Sequence, residues 1–283
     1  MQFLKTGDEC SGLRQCVLVP TMGALHEGHA SLIRHASRLG SPVVVTVFVN
    51  PTQFGAGEDF DRYPRTLDAD LALAKAAGAD AVFAPAALEI YPRGIEAARR
   101  ESAELALPEV ARMPSLEDAC RPGHFGGVCQ VVARLFELTR PRAACFGEKD
   151  YQQLRLIEEI SSHPASVPGC PAGISIIRCP TVRESDGLAM SSRNRYLAPQ
   201  QREQALGLYR ALQSCMAAQR VATAELLMRG TLEEHGLEVE YATIRRASDL
   251  MPAADFSEPT RALIAARLGS VRLIDNMGCP VWR

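Results

Sequence analysis

Two imidazoles, His26 and His29, flank Glu27 and Gly28 in the string Pro20-Thr21-Met22-Gly23-Ala24-Leu25-His26-Glu27-Gly28-His29. The short apolar run Cys16–Val19 precedes this string, and a periodic stretch follows it to Leu39, so a strand leads into a helix here. The N–H groups at a helix start have no partner within the helix and lie at the positive end of its dipole, which suits phosphate oxygens. Gly28 leaves room for a ligand close to the backbone. Two imidazoles at such a place can donate protons to oxygens on which charge develops during phosphoryl transfer. The same spacing also fits a metal pair, or one solvent-facing and one buried histidine, and the spacing alone does not separate these.

Three further segments carry groups of the right kind. Asn50-Pro51-Thr52-Gln53-Phe54 offers two amides, donor and acceptor at once, to a polar substrate; a simple capped turn is the alternative. Gly147-Glu148-Lys149-Asp150 brings a mobile positive charge and a carboxylate that suits an N-cap, a ribose or a metal-bound water. Gln153 lies one helical turn on, on the same side as Asp150. A capping motif alone would give the same pattern. Ser191-Ser192-Arg193-Asn194-Arg195 follows Asp186-Gly187-Leu188-Ala189-Met190, so hydroxyls and an arginine sit on a glycine-containing loop, as a phosphate clamp requires. An exposed polar linker would read the same way, and a hinge serves both readings. No GxxxxGK[ST] string occurs, no GxGxxG follows a strand, and no Ser-His-Asp or Cys-His order stands out.

The elements that must position these residues follow an α/β pattern. Pro42–Asn50 contains Val-Val-Val-Thr-Val-Phe-Val, a β-branched run suited to a strand buried on both faces. Thr66–Ala77 reads as a helix stopped by Gly78, and Ala81–Ala84 as the next strand. Strand–helix–strand–helix–strand predicts a parallel sheet with covering helices. The candidate segments at 20–29, 50–54 and 147–150 each fall after a strand, at the edge where open α/β sheets bind ligands. Glu89–Pro122 holds several prolines and alternating charges, and one or two short strands are expected in it. Phe125–Thr139 reads as helix, Ala143–Phe146 as strand, Asp150–Ile160 as helix, Ser162–Gly173 as a Pro/Gly-rich loop and Ile174–Cys179 as strand. Beyond a boundary near 180, helices over Tyr196–Gln219 and Thr223–His235 precede strands near Leu237–Ile244, Arg261–Arg267 and Val271–Asn276. The expected architecture is α/β: a Rossmann-like parallel-sheet domain over residues 1–180 and a smaller α+β C-terminal domain over 181–283.

Composition bounds the function. The chain has 283 residues with a formal net charge of -2, so no global positive field exists to hold nucleic acid. The N-terminus shows no basic segment followed by an apolar one, and no apolar run reaches membrane-spanning length, so a soluble cytoplasmic protein is expected. Nine cysteines are scattered without a CxxC, which argues for reduced thiols and against a cysteine zinc site.

The strings PTMGALHEGH at 20–29, VFVNPTQF at 47–54, YPRTLDAD at 63–70, EIYPRG at 89–94, RPGHFGGV at 121–128, ACFGEKDYQQL at 144–154, TVRESDGLAMSSRN at 181–194 and RLIDN at 272–276 span nearly the whole chain. In this order they resemble the pantothenate synthetase (pantoate–β-alanine ligase) family of the HxGH nucleotidyltransferase-like superfamily. HxGH alone marks a broad set of nucleotidyltransferases. Its combination with NPTQF, FGEKDYQQ and SSRN is specific.

The resemblance implies a homodimer with a C-terminal domain covering the site. It implies ATP and Mg2+, and condensation of (R)-pantoate with β-alanine through a pantoyl adenylate, with release of AMP and pyrophosphate. It implies that Met22, Gly23, Ala24, Leu25, His26, Glu27, Gly28 and His29 cradle ATP, with His29 as general acid and His26 on the phosphates. Gln53 would contact pantoate and later β-alanine, and Gln153 pantoate. Gly147, Glu148, Lys149 and Asp150 would hold ATP, with Lys149 catalytic on the phosphates. Val182 would make a backbone contact to the nucleotide, and Met190, Ser191, Ser192 and Arg193 would close on the phosphates. Arg121 and His124 would shape the same cavity. No residue is assigned as base for β-alanine. The chain departs from the family pattern in a short segment before the first strand, in Gln130 where a small hydroxyl residue is common, and in the long loop Ser162–Gly173. A dinucleotide-forming HxGH enzyme would lack NPTQF and YQQL, and a non-catalytic nucleotide binder would not need His26, His29, Lys149 and Arg193 intact.

Overall fold

The computed structural model describes residues 1–282. Its elements are β1 (Gln2–Leu4), β2 (Val17–Val19), α1 (Glu27–Ser37), β3 (Val43–Thr46), α2 (Leu67–Ala77), β4 (Ala81–Phe83), α3 (Ala87–Ile90), α4 (Ile95–Glu104), α5 (Glu117–Cys120), α6 (His124–Thr139), β5 (Ala143–Gly147), α7 (Tyr151–Ser162), β6 (Ser175–Cys179), α8 (Pro199–Ser214), α9 (Val221–Glu234), β7 (Glu238–Arg246), β8 (Thr260–Leu268) and β9 (Val271–Gly278). They form two compact units. The first holds Met1–Arg112, Glu117–Glu148 and Gln152–Pro180; the second holds Met113–Leu116, Lys149–Tyr151 and the chain from Thr181 onward.

In the first unit a six-stranded sheet runs in the order β1-β4-β3-β2-β5-β6, and every pairing is parallel. Val17, Val19, Val43, Val45, Val82, Ala143 and Cys145 pack with Ala30, Ile33 and Ala36 of α1 and Ala74 and Ala77 of α2. The alternate residues Leu18, Val44, Phe83 and Ala144 are also fully buried. Burial of successive residues means that both faces of the sheet are covered, the condition that parallel sheets meet. Gly78 ends α2 in the left-handed conformation at φ 100°, as its position in the sequence predicts.

The second unit is an antiparallel sheet, β7-β8-β9. Ala242, Ile244, Ala262, Ile264, Ala266, Leu268, Val271 and Leu273 on one face pack against Leu208 and Leu212 of α8 and Met228 and Leu232 of α9. The Rossmann-like sheet and the smaller α+β unit therefore agree with the expected fold class.

Some local expectations are corrected. The stretch Glu89–Pro122 contains no strand; it carries α4, whose buried residues are Ala98 and Ser102. Those two are four apart, and Ile95-Glu96-Ala97-Ala98-Arg99-Arg100 consists mainly of strong helix formers, so the alternating charges mark the solvent side of a helix. The first strand, β1, adds an element that the sequence pattern does not mark. It pairs only at the sheet edge, through Gln2, Phe3 and Leu4 against Ala81, Val82 and Phe83, and three residues are too few for a periodic signal. The helix expected to run from Tyr196 begins at Pro199, where proline occupies the first turn.

Candidate active site

Pro20–His29 leaves β2 and enters α1. Thr21 ties this exit to β3: its Oγ1 donates to the Thr46 carbonyl at 2.5 Å, and its N–H donates to Thr46 Oγ1 at 3.1 Å. Gly23 and Ala24 both take positive φ, 82° and 50°. The second is unfavourable for a residue with a Cβ, and Asp70 of α2 holds it there. Its buried carboxylate accepts from Ala24 N at 3.1 Å and from Leu25 N at 2.8 Å. The sequence string YPRTLDAD contains Asp70, but only the fold reveals that it fastens the loop.

The two histidines cap α1 reciprocally. His26 Nδ1 accepts from Gly28 N at 3.1 Å, and His29 Nδ1 accepts from His26 N at 3.3 Å. Their ring centroids are 4.1 Å apart. A nitrogen that accepts carries no proton, so in these hydrogen bonds each ring is the tautomer with its proton on Nε2. The caps thus turn both imidazoles into Nε2–H donors at a helix N-terminus. With both Nδ1 atoms serving the backbone, the arrangement suits an anion at the helix start better than the metal pair that spacing alone allowed.

Gln53 sits on a 3-10 turn, Pro51–Gln53, capped by Asn50. Asn50 is almost fully buried and uses its whole side chain. Its Nδ2 donates to Gln53 Oε1 and to the Gly127 carbonyl, both at 3.1 Å, and its Oδ1 accepts from Thr52 Oγ1 at 3.0 Å and from Tyr91 OH at 2.5 Å. With its oxygen held, the Gln53 amide presents Nε2, which lies 3.2 Å from Met22 Sδ. The fold thereby joins Gln53 to the first residue of the 22–29 segment.

The Gln53 carbonyl is held separately. His124 Nδ1–H donates to it at 2.9 Å, and His124 Nε2 accepts from Arg121 Nη1 at 3.1 Å. Arg121 also grips Glu58 through two bonds, at 2.8 and 2.6 Å. Burial, with the Arg121 charge beside it, pushes His124 down to about 4, so the ring is neutral. Burial acts to raise the Glu58 carboxyl, but the hydrogen bond and charge of Arg121 outweigh it and hold the group below its ordinary range. Arg121 and His124 therefore shape the backbone under Gln53. No local signal in the sequence marks Glu58 or Tyr91 for this role.

The double glycine of RPGHFGGV has a steric cause. A Cβ on Gly127 would stand 2.5 Å from the Thr52 carbonyl carbon and 2.6 Å from Gln53 N. The Gly127→Ala protein is expected to lose about 1–3 kcal/mol of stability and, if Gln53 faces substrate as its sequence motif implies, to raise a substrate KM. Thermal melting and steady-state kinetics check both effects; unchanged kinetics in a stable variant would detach this packing from the site.

Gly147 ends β5, and Glu148–Asp150 form a 3-10 turn before α7. Lys149 Nζ lies 4.0 Å from Asp150 Oδ1. The two glutamines of YQQL differ sharply. Gln152 is buried and spent on Glu117 N, Val110 O and Asp118 Oδ1. Gln153 is half-buried, and its amide makes no hydrogen bond among the described residues.

In the second unit Val182–Met190 is a hairpin, closed by Met190 N donating to the Val182 carbonyl at 3.0 Å and by Glu184 N to Leu188 O at 2.8 Å. Gly187 turns it at φ +98°, and a Cβ there would fall 2.1 Å from the Tyr209 ring. Arg183 anchors it with a bidentate pair to Asp275, at 2.6 and 2.9 Å. Ser191 then caps the turn Ser192–Tyr196 by accepting from Arg193 N at 3.3 Å. Val182 and the Met190–Arg193 segment are thus brought together on one rigid support.

A six-stranded parallel sheet with an imidazole-capped helix start at its carboxyl edge defines an α/β protein of the nucleotide-binding class. A sequence model described as Pantoate-beta-alanine ligase matches residues 3–278. The pantothenate synthetase of Rubrobacter xylanophilus is 49% identical over 271 residues, covering 93% of this chain and 90% of that protein. The crystal structure of pantothenate synthetase from Thermus thermophilus superposes with a TM-score of 0.88 at 39% identity, covering 98% of this chain and 99% of the other. A pantoate-beta-alanine ligase from Francisella tularensis, whose crystal structure is complexed with beta-gamma ATP and beta-alanine, gives a TM-score of 0.77 at 32% identity, covering 98% and 97%. The chain belongs to the pantoate–β-alanine ligase family, and it is an enzyme that joins pantoate to β-alanine in an ATP-dependent ligation to pantothenate.

Proposed function

We propose that ligation proceeds through a pantoyl adenylate and that the residues described above carry it. A carboxylate is a poor electrophile for an amine because its leaving group is oxide. Attack of a pantoate carboxylate oxygen on the α-phosphorus of ATP forms a C–O–P bond and expels pyrophosphate. The β-alanine amine then attacks the acyl carbon, AMP leaves with the bridging oxygen, and the amine gives up its proton. The protein's task is to align the carboxylate with the α-phosphorus and to neutralise the departing pyrophosphate.

The observation that carries this reading is the pair of reciprocal histidine caps, with Gln53 Nε2 held against Met22 beside them. Met22–His29 and Gly147–Asp150 hold ATP, His29 acts as general acid, and His26 and Lys149 meet the phosphates. Gln53 and Gln153 take pantoate by amide hydrogen bonds, and Gln53 later takes β-alanine. The Val182 carbonyl is occupied by Met190 N, but its N–H has no partner among the described residues, which suits a backbone contact to the nucleotide. Met190–Arg193 clamps the phosphates. Residues 1–180 serve as the ATP- and pantoate-binding domain, and 181–283 as the lid domain.

Magnesium enters with ATP as part of the substrate. Mg2+ is held through one or two carboxylates plus phosphate oxygens, and the half-exposed Asp150 carboxylate fits that donor set. A cytoplasmic homodimer is the proposed working form; no helix among the described residues is long and apolar enough to cross a membrane.

Pantoate labelled with 18O in its carboxylate tests the route. Adenylation transfers one label to AMP, and AMP formation depends on pantoate. Unlabelled AMP, or ADP as the nucleotide product, overturns it.

A further inference from the structure

The last strand carries the string RLIDN, and its final two residues point their polar groups at the segments proposed to bind phosphates. Asp275, almost fully buried, takes the guanidinium of Arg183 and so fixes the hairpin that leads into Met190–Arg193. Asn276, its equally buried neighbour, reaches a different segment. Asn276 Nδ2 donates to the main-chain carbonyl of Lys149 at 2.7 Å. Its Oδ1 accepts from Arg261 Nη1 at 2.8 Å.

Arg261 completes the mounting. Its guanidinium lies 3.9 Å from the centroid of the Tyr151 ring, and Tyr151 OH donates to the Ala247 carbonyl at 3.1 Å. Lys149–Tyr151 is therefore fastened to the three-stranded sheet at both ends, by an amide, a cation–π contact and a phenol. This is why these three residues pack as part of the second unit although the chain on either side belongs to the first. A lysine side chain has four rotatable carbons and no directional preference of its own. The position of its ammonium is set by where its backbone is held.

We propose that Asn276 is a positioning residue for adenylation: it mounts Lys149 on the same sheet that Asp275 uses to mount the Ser191–Arg193 clamp, so that both phosphate-directed groups keep a fixed mutual geometry. The inference rests on the proposed role of Lys149 at the ATP phosphates. Pyrophosphate departs in the first half-reaction only. The two half-reactions therefore respond differently to loss of Asn276, whereas a merely structural residue affects both.

Two variants separate the contacts. Asn276→Ala removes both hydrogen bonds. Asn276→Asp keeps an acceptor for Arg261 but replaces the donor to Lys149 O by an oxygen, so it breaks the lysine mounting alone. Each is assayed for melting temperature, for single-turnover formation of the adenylate from ATP and pantoate, and for amide formation from supplied pantoyl adenylate and β-alanine. In folded Asn276→Asp, adenylation is expected to slow about 10–100-fold, with a raised KM for ATP and amide formation within about twofold of wild type. Equal slowing of both half-reactions, or normal adenylation, overturns the proposal. So does failure of both variants to fold, since Asn276 is then a stability residue. Wild-type protein that forms no pantoate-dependent AMP would instead reject the functional reading itself, and the two failures are distinguishable.

Discussion

Replacing His29 by alanine is expected to slow adenylate formation about 10²–10⁴-fold, a loss of roughly 3–5 kcal/mol of transition-state stabilisation. The magnitude is that of removing one donor which, in the role proposed for His29, is aimed at oxygens on which charge grows. His29 has a second task, however. Its Nδ1 accepts from His26 N, and loss of a cap costs about 0.5–2 kcal/mol of stability. His29→Asn separates the two tasks. The shorter amide places an oxygen near the position of Nδ1 and retains the cap, but it does not reach where Nε2 stands. His29→Asn should therefore melt close to wild type while remaining as slow as His29→Ala. Lys149→Ala is expected to fall in the same range, because it removes a full charge from its proposed place opposite the phosphates. Rapid-quench measurement of adenylate formation checks these values. Near-normal adenylation in either alanine variant would sink the corresponding assignment.

The parts of the fold that the sequence discloses are those with a repeating physical demand. Val43–Thr46 is buried at every position, and only a strand in a parallel sheet covered on both faces needs that. The helix after His26 and the stop at Gly78 follow from periodicity and from a glycine that tolerates positive φ. The strand β1 and the helix α4 are hidden because the first is too short to show a period and the second lies among prolines and charges that also suit irregular chain. For the proposed site, the candidate ligand-facing residues are read from type and place: imidazoles at a helix start, and amides and a lysine after strands. What cannot be read are the residues that aim them. Asp70, Glu58, Tyr91 and Asp275 act across separations of 41 to 92 residues, and nothing local marks a carboxylate or phenol as the partner of a distant loop. Gln152 and Gln153 make the same point. They are adjacent and identical in type, yet one is consumed by the fold and the other keeps an amide with no hydrogen bond among the described residues.

The support beneath Gln53 predicts a marked acid sensitivity. In the unfolded chain His124 takes up a proton near its ordinary value of about 6.5. In the folded protein burial and the Arg121 charge delay this until about 4. Between those values the unfolded state binds more protons, so stability falls as the pH falls. The contribution is fully present above about pH 6.5 and is lost progressively toward pH 4. For a group this buried the integrated loss between pH 7 and pH 4.5 is about 2–3 kcal/mol. Glu58, whose folded value is depressed, adds to the loss in the same direction only below the ordinary carboxylate range, so the interval from pH 6.5 to 5 reports His124. Urea unfolding followed by far-ultraviolet circular dichroism across this interval gives the slope. His124→Asn supplies an N–H for the Gln53 carbonyl without a titrating group and should flatten it; equal slopes would refute the assignment. The chemical consequence concerns the substrate site. A proton on His124 Nε2 faces the Arg121 guanidinium, whose nitrogen lies 3.1 Å away. The acceptor that Arg121 uses disappears, and two positive charges meet beneath the Gln53 carbonyl. KM for pantoate should therefore hold steady from pH 6.5 to 5, rise only as the pH approaches 4 where the folded ring takes up its proton, and stay level throughout in His124→Asn, because the amide proposed to meet the substrate is only as well placed as the backbone beneath it.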